Sequence, residues 1–246
     1  MRNCPVILVS GWAHGEESLR PAAEALAPSR PVLSLSLASA GAGQEAEGAV
    51  SSYARTIANH LDRWDKPACL LGWSTGGVAA LETAARYPDK VAGLVLLGTT
   101  AKFCSEGEYS AGVRPAALRA MILGLGKNPE GVLSEFLSRA LHPLETEEGV
   151  LAARIKAALD TGIDTLIGGL EYLTKTDLRP ELPAIALPCL ILHGEKDLIV
   201  PPQAASYLDS NLPLSRLELL PATGHCLLEQ CGSSLIQKIV HFVERL

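Results

Sequence analysis

Short apolar runs recur along the chain, and most of them stop at a glycine or a proline. Continuous apolar runs of this kind are typical of strands that are buried on both faces of a sheet. They occupy residues 5–9, 31–37, 68–71, 91–97, 187–192 and 217–220. The pattern therefore predicts a strand at each of these positions, covered on both sides by other parts of the protein.

Segments with helical periodicity lie between most of these runs. They cover residues 17–27, 51–63, 76–86 and 233–245. The third segment is rich in alanine and stops before Tyr87-Pro88, because the residue before a proline is disfavoured in a helix. Alternating strands and helices predict an α/β protein with a mainly parallel sheet and helices on both faces. In such a sheet, functional sites form at the carboxyl ends of the strands.

Residues 101–176 depart from this alternation, because they contain helical patterns and no convincing strand. The helical patterns cover residues 115–124, 131–141, 149–159 and 161–173. We interpret the segment as a helical cap inserted over the carboxyl edge of the sheet, while residues 1–100 and 177–246 form the α/β core. Residues 38–48 are small and polar, and they are predicted to form a loop.

Composition narrows the class of protein further. The chain has 246 residues, is 48% hydrophobic and carries a formal net charge of −6, which indicates a globular domain and disfavours nucleic-acid binding. No apolar run is long enough to cross a bilayer and the N-terminus lacks a signal-peptide cleavage region, so we expect a cytoplasmic protein without membrane attachment. The six cysteines form no CxxC pair and no zinc-like cluster, so we expect reduced thiols and no metal site.

The sequence Gly72-Trp73-Ser74-Thr75-Gly76-Gly77 follows a predicted strand and precedes a predicted helix. In that context, Gly-x-Ser-x-Gly is typical of a nucleophile turn, in which a strained serine backbone exposes the hydroxyl. Bulk at Gly72 or Gly76 would clash with backbone that crosses the turn, and the helix N-terminus favours developing negative charge. An ordinary tight turn is the alternative, but the strand and the helix on either side make Ser74 the candidate nucleophile.

A serine hydroxyl needs a base, and the base needs an acid that orients it. His225 follows the last predicted strand in a glycine-containing loop, whereas His241 lies inside the last predicted helix and is expected to be structural. Glu195 and Asp197 follow the fifth predicted strand, and both are candidates for the acid. His193 precedes them at the end of that strand and is expected to be structural.

Two backbone N–H groups should stabilise the oxyanion that forms when a serine attacks an ester. We expect one of them from Thr75, directly after the nucleophile, and the other from Trp12, in the loop after the first strand. The indoles of Trp12 and Trp73 are expected to wall an acyl pocket, although core packing is the ordinary role of a tryptophan. This chemistry needs no metal and no organic cofactor.

Together, these features resemble the α/β-hydrolase superfamily over the whole chain. Within it, the chain is similar to the pimeloyl-[acyl-carrier protein] methyl ester esterases of biotin biosynthesis. The likeness rests on Gly11-Trp12, on the nucleophile turn, and on Gly-Gly-Leu-Glu-Tyr-Leu at 168–173 followed by Thr-Asp-Leu-Arg at 176–179. The last of these is the most discriminating, since other hydrolases share the first two more loosely.

The resemblance implies hydrolysis of the methyl ester of pimeloyl-[acyl-carrier protein], with release of methanol. It also implies that Asp197 is the acid, because its place before a Val-Pro turn matches hydrolases of this type. In that family a phenylalanine on a cap helix contacts the acyl chain, and Phe136 matches it, with simple helix packing as the alternative. Cap arginines of the family bind the acidic carrier protein, and Arg139 is one candidate here for a substrate contact.

Two features depart from the family. Ser10 stands where a histidine usually precedes Gly-Trp, and the cap mixes basic and acidic side chains. The basic candidates for a carrier contact are Arg114, Arg119, Lys127, Arg139, Arg154 and Lys156, and the acidic residues among them include Glu135, Glu145, Glu147 and Glu148. Three alternatives therefore stay open: a general short-chain carboxylesterase acting on small-molecule esters, a carbon–carbon bond hydrolase or menaquinone-pathway lyase on the same fold, and a non-catalytic binding module.

Overall fold

The computed structural model describes residues 4–39 and 50–246, and in them the predicted alternation of strands and helices is present. The strands are β1 (Val6–Val9), β2 (Val32–Leu35), β3 (Ala68–Trp73), β4 (Val91–Leu97), β5 (Cys189–Gly194) and β6 (Ser215–Leu220). The α-helices are α1 (Arg20–Leu26), α2 (Ser52–Leu61), α3 (Thr75–Arg86), α4 (Pro115–Leu125), α5 (Pro129–Leu141), α6 (Glu148–Asp160), α7 (Ile163–Lys175), α8 (Pro202–Asn211) and α9 (Leu227–Val243).

The described strands form one sheet in the order β2-β1-β3-β4-β5-β6, and every neighbouring pair is parallel. The predicted α/β class with a mainly parallel sheet is confirmed. Strand β3 lies between β1 and β4, and its register pairs Gly72 with Val9 on one side and with Leu96 on the other. The carboxyl ends of these three strands therefore meet at one edge, where parallel sheets place their functional sites.

Burial explains why the strands are continuous apolar runs in the sequence. All residues of β1 and β3 are buried, and so are six of the seven residues of β4. Helix α1 packs against α9, and α2 packs against α3, so that the inner strands are covered. All six cysteines are unbridged, and five of them are buried. Among the described residues, no helix combines the length and the apolar character needed to span a membrane.

Helix α8 and the beginning of α9 differ from the predicted elements. Helix α8 was not predicted, because it buries only Ala204, Ala205 and Leu208 and so leaves a weak apolar pattern. Helix α9 begins at Leu227 rather than at residue 233, and it is broken at Gly232, whose φ of 49° and ψ of −128° are not helical. The predicted loop at 38–48 lies almost entirely outside the described residues.

The four helices from α4 to α7 lie between β4 and β5, as the departure from alternation predicted. Lys102 and Asp177 flank this helical segment, and they are joined by an antiparallel bridge and by an ion pair of 2.9 Å between Nζ and Oδ2. Arg179 adds a two-bond contact to the same carboxylate, at 2.8 and 2.6 Å. The two ends of the helical segment are thus held together by the contacts of Asp177.

We expect Asp177→Asn to lower the free energy of unfolding by about 1–2 kcal/mol at pH 7, because charge-assisted hydrogen bonds are lost. The bonds from Arg179, and after them the contact with Lys102, hold the pKa of Asp177 well below its usual range. A carboxyl with a lowered folded pKa stabilises the fold above its unfolded pKa, and this contribution disappears as the pH falls. The deficit of the variant in urea unfolding should therefore shrink as the pH falls below about 4.

Asp62→Asn is the matched control, since Asp62 also pairs with a lysine, Lys90, but is mostly exposed. Its effect on urea unfolding should stay within about 0.5 kcal/mol at every pH. An Asp177→Asn deficit that does not change between pH 7 and pH 2 would show that charge on Asp177 is not what stabilises the junction.

Candidate active site

Ser74 occupies the sharp turn between β3 and α3. Its φ of 55° and ψ of −121° place a non-glycine residue in a strained left-handed region. Two contacts hold it there: the Ser74 N–H donates to the Leu97 carbonyl at 2.8 Å, and the Thr99 hydroxyl donates to the Ser74 carbonyl at 2.7 Å. The strained backbone is thus fixed by the neighbouring strand and the residues that follow it, and Ser74 lies at the carboxyl edge of the sheet.

Glycines allow α3 to cross close over β1. A Cβ atom on Gly76 would overlap the carbonyl groups of Val9 and Ser10, and one on Gly72 would overlap the backbone of Gly77. The close crossing also brings the loop after β1 against the nucleophile turn, since a Cβ on Gly11 would lie 3.1 Å from the Cβ of Ser74. Only glycine permits the approaches at positions 72 and 76, which explains the spacing of the glycines around Ser74.

His225 and Asp197 form a buried hydrogen-bonded pair at the same edge. The His225 Nδ1–H donates to Asp197 Oδ2 at 2.7 Å, while Asp197 Oδ1 accepts the N–H groups of Ile199 and Val200 at 2.8 and 2.9 Å. Burial alone would raise the pKa of Asp197, but His225, together with His193 and the Val200 N–H, outweighs it and holds that pKa below its usual range. The carboxylate therefore stays ionised, and it fixes the imidazole with Nε2 free to accept a proton.

The base is tied to the nucleophile turn through Trp73. The Trp73 indole N–H donates to the backbone carbonyl of His225 at 3.0 Å, and the two rings lie 5.7 Å apart. His225 Nε2 is buried and makes no hydrogen bond to any residue in the described ranges. The bond to the Ser74 hydroxyl is thus not formed in this structure, and such bonds often tighten only in the complex with substrate.

The two predicted oxyanion donors lie on either side of the nucleophile turn. Thr75 is the first residue of α3, whose leading N–H groups have no partner within the helix. Trp12 lies in the loop after β1, and its N–H has no acceptor among residues 4–39 and 50–246. Both residues line the same cavity as Ser74. The arrangement can receive a developing oxyanion beside the serine.

A cavity of about 300 Å³ connects Ser74 with the helical segment. Its lining is mainly apolar: Trp12, Ser74, Thr75, Phe103, Val113, Ala117, Leu118, Ala120, Met121, Val132, Glu135, Phe136, Arg139, Leu170, Leu173, Leu198 and Ile199. Phe136 packs edge-on against Trp12, with ring centroids 4.6 Å apart. Arg139 is exposed and donates to the carbonyl of Leu198 at 2.8 Å, which joins α5 to the loop that carries Asp197. The cavity suits an extended apolar group next to the serine.

Most of the predicted site residues lie in the cavity lining and in the Asp197–His225 pair. Ser74, Thr75, Trp12, Phe136 and Arg139 share the cavity lining, and Asp197 is bonded to His225, so the structure brings these predicted site residues together. The exposed alternatives for acid and base, Glu195 and His241, take no part in that pair.

Trp73 does not wall the cavity as predicted. Its indole contacts His225 and His14, and Trp73 is not among the residues that line the cavity. Two further residues at the site were not predicted: His14, which contacts both Trp73 and Phe136, and Thr99, which donates to the Ser74 carbonyl. The only available signal for His14 was its place in the same short loop as Trp12. His193 was expected to be structural, and its Nε2 donates to the Val200 carbonyl at 3.0 Å in the acid loop.

Comparison with known families and proteins agrees with the observed fold. A family model described as alpha/beta hydrolase fold matches residues 5–230. A pimeloyl-[acyl-carrier protein] methyl ester esterase from Nitrosomonas europaea is 29% identical over 223 residues, which cover 89% of this chain and 88% of that protein. A protein of the same name from Yersinia enterocolitica is 27% identical over 248 residues, which cover 99% of this chain and 94% of the relative.

Solved structures show the same fold at lower identity. The esterase EaEST from Exiguobacterium antarcticum superposes with a TM-score of 0.87 at 22% identity, covering 98% of this chain and 92% of that one. MenH from S. aureus superposes with a TM-score of 0.83 at 21% identity, covering 100% and 95% of the two chains. Proteins with different titles thus share this architecture, so likeness to them supports the fold and not a particular reaction.

We expect Asp197→Asn to lower kcat for ester hydrolysis by about 10³–10⁴-fold. The amide oxygen can still accept from Ile199 and Val200, which leaves the amide NH₂ facing His225 Nδ1. The imidazole would then carry its proton on Nε2, where it cannot accept one from Ser74. The measurement is steady-state hydrolysis of a p-nitrophenyl ester.

Glu195→Gln is the control, because Glu195 is exposed two residues away and its loss should leave kcat unchanged. Equal losses in the two variants would contradict the assignment of Asp197 as the acid.

Proposed function

Because the chain belongs to the alpha/beta hydrolase family, we propose that it is a serine carboxylesterase with Ser74, His225 and Asp197 as its catalytic triad. One observation carries the proposal: the buried Asp197–His225 pair is tied through Trp73 to the strained Ser74 turn, which opens into an apolar cavity. Each member of the triad comes from the carboxyl end of a different strand, so the rigid sheet sets their mutual positions.

The first half of the reaction is acylation of Ser74. His225 Nε2 takes the hydroxyl proton as Ser74 Oγ attacks the ester carbonyl carbon, and the backbone N–H groups of Trp12 and Thr75 stabilise the oxyanion. The tetrahedral intermediate then collapses, and His225 passes the proton to the departing alkoxide, which leaves as an alcohol. Asp197 remains ionised throughout and stabilises the imidazolium.

The second half is hydrolysis of the acyl-enzyme. His225 takes a proton from water, the hydroxide attacks the acyl carbonyl, and the same two N–H groups stabilise the second oxyanion. Collapse of this intermediate returns the proton to Ser74 Oγ and releases a carboxylic acid. The net reaction consumes one ester and one water and yields one acid and one alcohol.

The proposed substrate is the methyl ester of pimeloyl-[acyl-carrier protein], and the proposed alcohol is methanol. The two relatives named for this activity align with at least 89% of the chain, which supports the assignment. The apolar cavity suits the methylene chain of such an acyl group, with Trp12 and Phe136 as wall residues. Residues 101–176 would act as the cap, and Arg139 at its edge would contact the carrier-bound part of the substrate.

A carrier-independent carboxylesterase is the second candidate, and the charge of the helical segment favours it. Residues 115–175 contain eight acidic and six basic side chains, a balance that does not attract an acidic carrier protein. Three of these basic side chains are already engaged: Arg154 with Glu229, Arg139 with the Leu198 carbonyl, and Lys175 with Glu171. A small ester would need no such contact.

The deciding experiment measures methanol release from two substrates. One is the pimeloyl methyl ester on acyl carrier protein, and the other is the free diester, dimethyl pimelate. The proposal expects kcat/KM at least about tenfold higher for the carrier-bound form, and no release by Ser74→Ala. Equal efficiency on both forms would favour the carrier-independent esterase. If active enzyme releases no methanol from either form, both the carrier-dependent and the carrier-independent esterase are excluded. Product analysis would then test carbon–carbon bond cleavage.

We also expect Met121→Trp to discriminate between acyl chains by length. Met121 lies on α4 in the cavity lining, and an indole there would fill part of the space available to a long chain. The kcat/KM for a p-nitrophenyl octanoate should fall by about tenfold or more, while that for the acetate stays within about twofold. A parallel loss on both esters would show that the cavity does not hold the acyl chain.

A further inference from the structure

Three hydrogen bonds that form within the loop carrying Trp12 all involve His14. The His14 N–H donates to the carbonyl of Gly11 at 3.3 Å, and the Ser10 hydroxyl donates to the carbonyl of His14 at 2.8 Å. The third bond joins His14 Nδ1 to the carbonyl of Trp12 at 2.8 Å. His14 thereby links residues 10, 11 and 12 of this loop through hydrogen bonds.

The bond from the His14 N–H acts directly on the peptide that carries the Trp12 N–H. In a trans peptide the N–H points in the opposite direction to the carbonyl of the preceding residue. Because the Gly11 carbonyl is held by the His14 N–H, the Trp12 N–H points away from that bond. The next peptide is held through its Trp12 carbonyl by the His14 ring. Ala13 follows with a φ of 60°, a conformation that costs energy for alanine and relaxes unless its neighbours hold it.

The His14 ring is itself fixed by aromatic neighbours. It lies edge-on to Trp73 with centroids 4.5 Å apart, and Phe136 lies 6.3 Å away. Trp73 adjoins the nucleophile Ser74, and Phe136 belongs to α5. The ring therefore stands where the oxyanion loop, the nucleophile turn and the helical segment meet.

The hydrogen bond also defines the tautomer of His14. A carbonyl can only accept, so Nδ1 carries the proton, while Nε2 is shielded from solvent and finds no partner within the described residues. Burial lowers the pKa of His14 to about 4. The ring is therefore neutral at physiological pH, and its contribution is a hydrogen bond and not a charge.

We propose that His14 is a positioning residue that aims the Trp12 N–H at the developing oxyanion, an inference that rests on the esterase function proposed above. His14 acts through Trp12 and touches no reacting atom. The Ser10 hydroxyl adds a second hold on the loop by donating to the carbonyl of His14. Loss of the His14 side chain should weaken binding of the transition state and leave binding of the ground-state ester almost unchanged.

The test compares His14→Gln with His14→Asn. An asparagine amide nitrogen falls near the position of Nδ1 and can still donate to the Trp12 carbonyl, whereas a glutamine amide nitrogen falls near Nε2 and cannot. With p-nitrophenyl butyrate, His14→Gln should lower kcat about tenfold or more with KM within about twofold, and His14→Asn should recover most of kcat. His241→Asn, at an exposed histidine, is the control and should keep full activity.

A trifluoromethyl ketone supplies a readout that simple packing would not change. It forms a tetrahedral adduct whose oxyanion needs the Trp12 N–H, so its inhibition constant should rise in His14→Gln by the same factor as kcat falls. Thermal unfolding of each variant shows whether the fold is intact. If a variant is unfolded at the assay temperature, both measurements are repeated at a temperature below its transition.

The outcomes separate this inference from the function on which it rests. If the wild type neither hydrolyses the ester nor is labelled at Ser74 by a fluorophosphonate, the proposed function fails and the role of His14 fails with it. If the wild type is active and folded His14→Gln keeps its kcat and its inhibition constant, only the role of His14 is overturned. A loss that His14→Asn does not recover overturns it as well, because packing would then explain the effect.

Discussion

The close crossing of α3 over the end of β1 is the contact on which the whole candidate site depends. It requires glycine at Gly76, where any side chain would overlap two backbone carbonyls. Beside this crossing Ser74 has a left-handed conformation, which is held by its N–H bond to the Leu97 carbonyl of β4 and by the bond that it accepts from Thr99. The same approach brings the β1 loop against the turn, so one packing constraint places Ser74 and the proposed second oxyanion donor, Trp12, at the same edge.

The base and the acid are organised by a different requirement, which is satisfaction of buried polar groups. A buried carboxylate is costly unless its oxygens are bonded, and Asp197 meets this need with two backbone N–H groups and the His225 ring. Because the acid loop is fixed in this way, the imidazole has one tautomer and one orientation. Trp73 then relates the base to the nucleophile turn, since its backbone belongs to β3 and its indole bonds to His225.

Much of the fold was predictable because strands buried on both faces leave continuous apolar runs, and the turn around Ser74 was predictable because its glycines are sterically required. The choice between Glu195 and Asp197 rested on resemblance, and burial in the structure now separates them. Helix α8 escaped notice because it buries few large side chains. The bracing by His14 could not be read from the sequence, since it depends on a positive φ at Ala13 and on ring contacts between distant segments.

The helical segment also takes part in positioning the candidate site, because it contacts the loop that carries Trp12 directly. The Trp12 indole donates to the carbonyl of Leu166 in α7 at 2.7 Å, and the same indole packs against Phe136 of α5. Gly169 leaves room for that indole, since a Cβ there would lie 2.7 Å from it. Replacement of these helices would therefore disturb the position of the proposed oxyanion donor together with the shape of the cavity. Under the proposed function, substrate choice and rate are coupled through Trp12, whose indole lines the cavity and whose N–H is the proposed oxyanion donor.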